Sequence, residues 1–284
     1  MKKIQIIKLI AQMMLLAVLL FAFTACGEEP QVPETTPPTT TEPTVIEQSN
    51  LLPESHPGYA TQQAELAIAA FAQENEIPLE AYPGYLLSML AKNPETREFV
   101  LEFPLEYGKV QEVDMSEYAN CTEVPLFMQW DQRWGYTRYG AGVAGMTACG
   151  PVSLSMAAWY VTDGDPAMSP DQMIQFALDE GYCVAGNGTA WSMMSDGVEK
   201  LGLKSLELQL SLAQIQEQVE QDHPVVCIMG PGDFTTSGHF IVIVGVENGL
   251  LRVNDCNSKA NSEKLWDFDQ IKDQIRNLWA ISKG

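Results

Sequence analysis

Between residues 57 and 107 apolar side chains return at helical spacing, with Ala64, Ala67, Ile68 and Phe71 in one run and Leu86, Met89 and Leu90 in another. Pro78, Pro83, Pro94 and Pro104 cut this stretch into short helices, because proline brings no backbone N–H to a helix interior. No cluster of titratable groups falls there, so the segment is expected to pack beside a main domain. From Cys121 the pattern changes. Residues 124–128 read as a short extended stretch, followed by an aromatic, glycine-bearing loop through Trp130, Trp134, Tyr136, Tyr139 and Gly145. Residues 150–161 are apolar nearly all round and predict a buried central helix. Ser169-Pro170-Asp171-Gln172 has the form of a capping box opening a helix to about residue 180. A helix over 189–201 closed by Gly202, a strand over 204–210 and a helix capped by Ser211-Leu212-Ala213-Gln214 follow. The last third predicts strands over 225–229, 240–246 and 250–254, the last two joined through Glu247-Asn248-Gly249, then a helix over 267–277 and a strand over 278–282. Helices first and antiparallel strands after predict an α+β fold, with the central helix packed on the sheet.

The start of the chain reads differently. Lys2, Lys3 and Lys8 precede an apolar run over 9–23, too short and too early for a stable membrane span, which marks an export signal. It ends at Phe23-Thr24-Ala25-Cys26-Gly27, which resembles a bacterial lipobox and implies cleavage before a lipidated Cys26; ordinary secretion is the alternative. Residues 26–50 are rich in Pro, Thr and Glu and cannot bury enough apolar surface to offset ordering entropy, so a disordered tether is expected. The expected plan is a signal peptide over 1–25, a tether over 26–50, a helical segment over 51–115 and a main domain over 116–284. The expected location is the outer face of the cytoplasmic membrane, lipid-anchored, or secreted.

Sixteen Lys+Arg stand against 37 Asp+Glu, a net charge of -21 that grows once the three lysines of the signal are removed. Phosphate backbones would be repelled, so nucleic acid is excluded as a partner. The sequence is silent on oligomeric state. Of the six cysteines, Cys121, Cys183, Cys227 and Cys256 remain once Cys26 and Cys149 are set aside. None of the spacings is CxxC, so a zinc site is not expected, and the chain is expected to need no cofactor. Cys227 reads as a small buried hydrophobe, while pairing of Cys183 and Cys256 stays open.

Cys149, in Thr147-Ala148-Cys149-Gly150-Pro151-Val152, falls at the start of the buried helix. A helix N-terminus and a neighbouring imidazolium are two devices that turn a thiol into a nucleophilic thiolate. Taken alone, Cys149 also fits a buried structural cysteine. The chain has three histidines. His239 follows a glycine-bearing loop and opens an apolar strand, placing it at the rim of a sheet as a candidate base and acid. His223, before Pro224, reads as structural, and His56 as incidental. Asp255 is the candidate to orient His239. A two-residue turn at Asn248-Gly249 would put Asp255 on the face opposite His239, leaving Asn254 as the third member. A three-residue loop over 247–249, or a bulge, would bring Asp255 onto the same face, and that is the expected arrangement. Gln129 is a candidate side-chain donor to an oxyanion, beside the Cys149 N–H. Trp130, Trp134 and Trp191 are candidates to line a cleft or to fill the core.

Gln129-Trp130-Asp131-Gln132-Arg133-Trp134-Gly135, Ala148-Cys149-Gly150-Pro151, Gly230-Pro231-Gly232-Asp233-Phe234 with Gly238-His239-Phe240, and Val253-Asn254-Asp255 together look like the C39-like cysteine peptidases. These are relatives of the bacteriocin-processing peptidases. Lys92-Asn93-Pro94-Glu95 with Phe99-Val100 also resembles a segment found ahead of such domains in exported Gram-positive proteins. The resemblance covers about 121–282 and implies a papain-like fold, with Cys149 as nucleophile, His239 as base, Asp255 as its orienter and Gln129 in the oxyanion hole. Cys256 departs from the family, which often has proline after the aspartate. A peptide or protein substrate is implied. The alternatives are a cell-wall amidase or transpeptidase with the same residues, and a silent domain that binds peptides or a surface partner.

Overall fold

The computed structural model describes residues 51–109 and 112–284. The export signal, Cys26 and the tether over 26–50 lie outside the described residues. Residues 51–284 form one compact unit. Among the described residues no helix is long and apolar enough to cross a membrane.

The N-terminal segment folds as α1 (Tyr59–Glu74), α2 (Gly84–Lys92) and α3 (Arg97–Glu106), with 3₁₀ turns at Leu79–Ala81 and Pro94–Thr96. Pro78, Pro83 and Pro94 stand at element starts as expected, but Pro104 lies inside the last turn of α3. The helix ends two residues later, which limits the loss to one backbone bond. Ala64, Ala67, Ile68, Leu86, Leu90, Phe99, Val100 and Phe103 are buried together, and Tyr136 and Val143 of the main domain complete their cluster.

The main domain begins with α4 (Gln132–Gly135), a short hairpin of β1 (Arg138–Tyr139) and β2 (Gly142–Val143), and α5 (Ala144–Thr147). Next come α6 (Cys149–Val161), α7 (Pro170–Asp179), and a second short hairpin of β3 (Cys183–Val184) and β4 (Gly188–Thr189). Then follow α8 (Asp196–Lys200), β5 (Leu203–Glu207), α9 (Leu212–Val219), β6 (Val225–Met229), β7 (His239–Glu247) and β8 (Leu250–Asn254). The chain closes with α10 (Lys259–Ser262), β9 (Leu265–Asp267), α11 (Phe268–Ile271) and β10 (Ile275–Lys283).

Six strands form one sheet in the order β5-β10-β6-β7-β8-β9, every neighbour antiparallel. The fold is α+β, as expected. Helix α6 is buried on nearly every side, and its Val152, Leu154, Met156 and Trp159 pack with Val226, Ile228, Phe240, Val242 and Trp279. Each such side chain contributes about 1.5–3 kcal/mol by leaving water. A second cluster, of Cys227, Ile241, Ile243, Val253 and Leu278, is closed by Ile215 of α9, Trp266 and Ile271 of α11. The sheet is thus covered twice over, which fits the unbroken apolar runs of β6 and β7.

Four expectations need correction. The helix over 189–201 is broken: Thr189 belongs to β4, Trp191–Met194 is a 3₁₀ turn, and only Asp196–Lys200 is α-helical. Ser195, at ψ -83°, interrupts it, while Gly202 at φ +75° closes it. The helix over 267–277 stops at Ile271, and a 3₁₀ turn leads into β10 at Ile275, which pairs with Met229. Here pairing between two strands overrides local propensity. The capping box does not form: Ser169 stands at the N-cap position, but its hydroxyl bonds the Asp171 carboxylate at 2.6 Å rather than a backbone N–H. Ser211 likewise makes no side-chain cap, and Gln214 accepts from the Gln209 N–H instead.

Candidate active site

Cys149 is the first residue of α6. Gly150 beside it has no room for a side chain, since a Cβ would sit 2.6 Å from Cβ of Thr189. Thr189 is itself held by a 2.8 Å bond to the Tyr139 hydroxyl. The helix start is therefore packed hard against β4, and the thiol faces a cleft with its surface only partly covered.

His239 is the first residue of β7, and Asp255 immediately follows β8. Adjacent antiparallel strands bring the two to one end of the sheet. His239 Nε2 lies 2.7 Å from Asp255 Oδ1, with both side chains buried. The register explains the meeting, through a bulge and not a longer loop. The turn is tight: Glu247 pairs with Leu250, and Asn248 and Gly249 both take positive φ, as a two-residue hairpin requires. A bulge at Val244, between the Ile243 and Gly245 pairs, restores the phase, so that Val242 faces Asn254. The expected three-residue loop is absent, while the bulge does its work three residues further into the strand. Asn254 donates its amide to the carbonyls of Val124 and Pro125 and takes no part in the cluster.

Asp255 is fixed by more than histidine. Its Oδ1 also accepts from the Asn257 N–H at 2.9 Å, its Oδ2 accepts from Asn261 Nδ2 at 2.8 Å, and its own N–H donates to Ser262 Oγ. Sequence reading missed Asn257, Asn261 and Ser262. The signal was there as two small polar pairs soon after Asp255, Asn257-Ser258 and Asn261-Ser262, the kind that satisfies a buried carboxylate.

With Nε2 committed to Asp255, Nδ1 is the imidazole nitrogen left to interact with the Cys149 thiol. Burial raises the Cys149 pKa, but the His239 bond and charge, with the N–H groups of Phe240 and Gly150, outweigh it and leave the thiol below its ordinary value. Burial opposes charge on His239 as well, yet Asp255 and Cys149 together push its pKa up to about 10. Burial also acts against ionised Asp255, and the His239, Asn261 and Asn257 bonds overcome it, holding the carboxyl below the usual range. The three directions agree on a thiolate–imidazolium pair beside a carboxylate.

Gln129 is buried at the cleft floor. Its Oε1 accepts from the Cys256 thiol at 3.5 Å, its Nε2 donates to the Gly145 carbonyl at 3.0 Å, and its backbone N–H donates to the Cys256 carbonyl at 2.7 Å. These contacts orient the amide and leave the second Nε2 hydrogen available to a ligand. Cys256 thus fills the position after the aspartate with a thiol that steadies Gln129, and burial first, then the charges of Cys149 and Asp255, push its own pKa up. The five described cysteines are all free. His239, Asp255 and Cys256 bring three donor atoms within 4.8 Å of one another, but these are committed to each other, to Gln129 and to the backbone.

The rest of the Gln129–Gly135 motif is scaffold. Asp131 accepts from the Arg133 N–H at the start of α4 and pairs with its guanidinium, which lies 4.7 Å from the Trp134 ring centroid. Trp134 is core, Trp130 donates to the Asn257 carbonyl, and Trp191 is exposed in the cleft. His223 bonds to Gln218 away from the cleft, and His56 accepts from the Gly58 N–H.

An α+β scaffold with a helix-borne thiol, a strand-borne histidine and a locked carboxylate is a cysteine peptidase-like domain. Residues 121–284 match the Peptidase_C39 like family, and the chain belongs to that family. Among solved structures, the peptidase domain of Streptococcus ComA, a bi-functional ABC transporter involved in a quorum sensing pathway, is 14% identical. The match covers 57% of this chain and 99% of that one, with a TM-score of 0.41. A C39-like peptidase from Bacillus anthracis is 16% identical over 57% of this chain and 95% of its own, with a TM-score of 0.39. No curated protein matches the chain.

Proposed function

We propose that this protein is a cysteine peptidase acting outside the cytoplasm, held to the membrane by a lipid on Cys26. The observation that carries the catalytic reading is the continuous chain Cys149–His239–Asp255, at the floor of an open cleft beside Gln129. The Cys149 thiolate attacks the carbonyl carbon of a peptide bond. The Cys149 N–H and the free Nε2 hydrogen of Gln129 receive the oxyanion. The His239 imidazolium gives its proton to the departing amine, leaving a thioester on Cys149 and a neutral imidazole. Water then loses a proton to His239 and attacks the thioester, which releases the acid and restores the ion pair. Asp255 keeps the ring oriented and supports its charge throughout.

Alkylation of Cys149 as a function of pH, beside a His239→Ala variant, tests this reading. The expected rate reaches its plateau well below the ordinary thiol range near pH 8.5 and loses that plateau in the variant. A rate that climbs through about 8.5 in both proteins would overturn the preformed pair. The anchor is supported by the basic start, the apolar run and the lipobox-like Phe23-Thr24-Ala25-Cys26. Incorporation of labelled fatty acid that disappears in Cys26→Ala tests it, and label retained in the variant refutes lipidation at that site.

A further inference from the structure

Two depressions meet at Cys149. One, of about 560 Å³, is lined by Gly188, Thr189, Trp191, Met229, Pro231 and Arg276. The other, of about 320 Å³, is lined by Tyr85, Met89, Lys92, Gln129, His239 and Asn257. His239 lines only the second. A general acid must stand within hydrogen-bond reach of the amine that it protonates. The second arm therefore takes the leaving half of the substrate and the first takes the acyl half.

The leaving-side wall comes from the N-terminal segment. Tyr85, Ser88, Met89 and Lys92 follow i, i+3, i+4, i+7 along α2 and all line the cleft, while Leu86 and Leu90 of the same helix are buried. The wall is tied down beside the site. Asn93 Nδ2 donates to the Asn257 carbonyl at 2.6 Å, and Glu95 accepts from the N–H groups of Lys259 and Ala260 at the start of α10. None of these N-terminal residues falls within 121–284, so the wall is an addition to the family domain.

The charges of the two arms stand out from the rest of the molecule. The chain carries 37 acids against 16 bases, yet among the described residues no Asp or Glu lines either arm. Three other surface cavities each include a carboxylate: Asp163 and Asp222 in one, Asp171 in the next, Glu123 and Asp222 in the third. Apart from His239, each arm bears one cation, Arg276 on the acyl side and Lys92 on the leaving side. Both are exposed, and neither pairs with a carboxylate among the described residues. Arg276 is also held in place. Its Nη1 donates to the Asp273 carbonyl at 2.7 Å, and its guanidinium lies so close over Gly230 that a Cβ there would meet Nε at 2.5 Å.

We propose that the cleft selects peptides carrying a carboxylate side chain on each side of the scissile bond, read by Arg276 on the acyl side and Lys92 on the leaving side. This rests on the peptidase reading above. Exposed ion pairs are modest, so a preference of about fivefold for Glu over Gln is expected at each side. It should shrink as salt rises.

The test uses the full chain in detergent and fluorogenic peptides matched except for Glu, Gln or Lys within two residues of the bond on either side. The expected kcat/KM order is Glu, then Gln, then Lys. Lys92→Glu reverses that order on the leaving side alone, and Arg276→Glu reverses it on the acyl side alone. Equal rates for Glu and Gln, or a variant that acts on the wrong side, overturn the proposal. The same peptides are also titrated against Cys149→Ala by fluorescence anisotropy, which needs no turnover. Acid-selective binding without cleavage by the native chain would sink the peptidase reading and leave the charge assignment standing. Binding that ignores charge, or no binding at all, overturns the charge assignment itself.

Discussion

Phe99 packs against Gly145 so closely that a Cβ on the glycine would sit 2.6 Å from the ring's Cζ. The same ring leaves only 2.8 Å for a Cβ at Gly135 and stacks on Tyr136 with centroids 4.5 Å apart. Phe99 belongs to the N-terminal segment, and the Gly145 carbonyl receives the Gln129 amide. The contact therefore couples the added segment to the cleft floor. Gly145→Ala is expected to cost about 1–3 kcal/mol through overpacking and to lower kcat by shifting Gln129. Phe99→Ala is expected to cost about 3–5 kcal/mol. Denaturant unfolding and kcat on one peptide check both, and a Gly145→Ala protein with native kcat would break the coupling.

Asp255→Asn keeps the size of the side chain but removes the charge that faces His239. The amide also presents donors where Asn261 and the Asn257 N–H now donate. The expected result is a kcat lower by about 10²–10⁴-fold, with a His239 pKa well below about 10. Nitrogen-labelled imidazole resonances followed through a pH titration give the pKa directly. An unchanged value would mean that the carboxylate does not set the charge of the ring.

Deleting Val244 should straighten β7 without changing any pair of the ladder, because Gly245 already faces Arg252 and Ile243 already faces Val253. Asp255 should keep the face of His239, so the alkylation pH profile should survive the deletion with the tight Asn248-Gly249 turn intact. An alkylation rate that loses its pH dependence while the far-ultraviolet circular dichroism is retained would show that the bulge itself, and not only the register, holds the pair. This bulge also marks what could be read from the sequence and what could not. Cys149, His239, Asp255 and Gln129 each sit in a short local pattern, and the structure brings all four together. Strands β6 and β8 were legible because their ends are marked by turn residues and their interiors are apolar. A bulge was foreseen as the alternative to a longer loop, but its place at Val244 was not legible, since Gly245 is its one local hint and the phase depends on two strands at once. The docking of α2 was hidden for a related reason. Asn93 and Glu95 reach Asn257 and Lys259 more than 160 positions away through single polar bonds, which leave no periodicity.

Gln129→Ala should lower kcat by about 10²–10³-fold with KM little changed, because the amide is asked to bond a charge that exists only in the transition state. Cys256→Ser is a finer test of how that amide is held. The hydroxyl is smaller and a better donor than the thiol that now meets Gln129 Oε1 at 3.5 Å, so Gln129 should stay oriented and kcat should fall only a few-fold. Cys256→Val removes the donor altogether and should approach the loss seen in Gln129→Ala. A Val variant with native kcat would show that Gln129 needs no such support.

The pH dependence follows from the signs of the three shifts. Activity should rise on the acid side as Cys149 ionises, below the ordinary thiol range, and fall on the alkaline side as His239 loses its proton near pH 10. Stability should follow the same groups. His239 is raised on folding, so its contribution is complete below the unfolded value of about 6.5 and is lost as pH climbs through about 10. Asp255 is lowered on folding, so its contribution is present above the unfolded value of about 3.9 and is lost as pH falls through its depressed folded value. Cys149→Ala separates the two partners of His239. Without the thiolate only Asp255 supports the imidazolium, so the His239 pKa should drop from about 10 and the alkaline edge of stability should move to lower pH. Thermal unfolding of native and Cys149→Ala protein between pH 4 and 11 checks this. Coincident alkaline edges would mean that the thiolate contributes nothing to the charge on His239, and with it the preformed ion pair would fall.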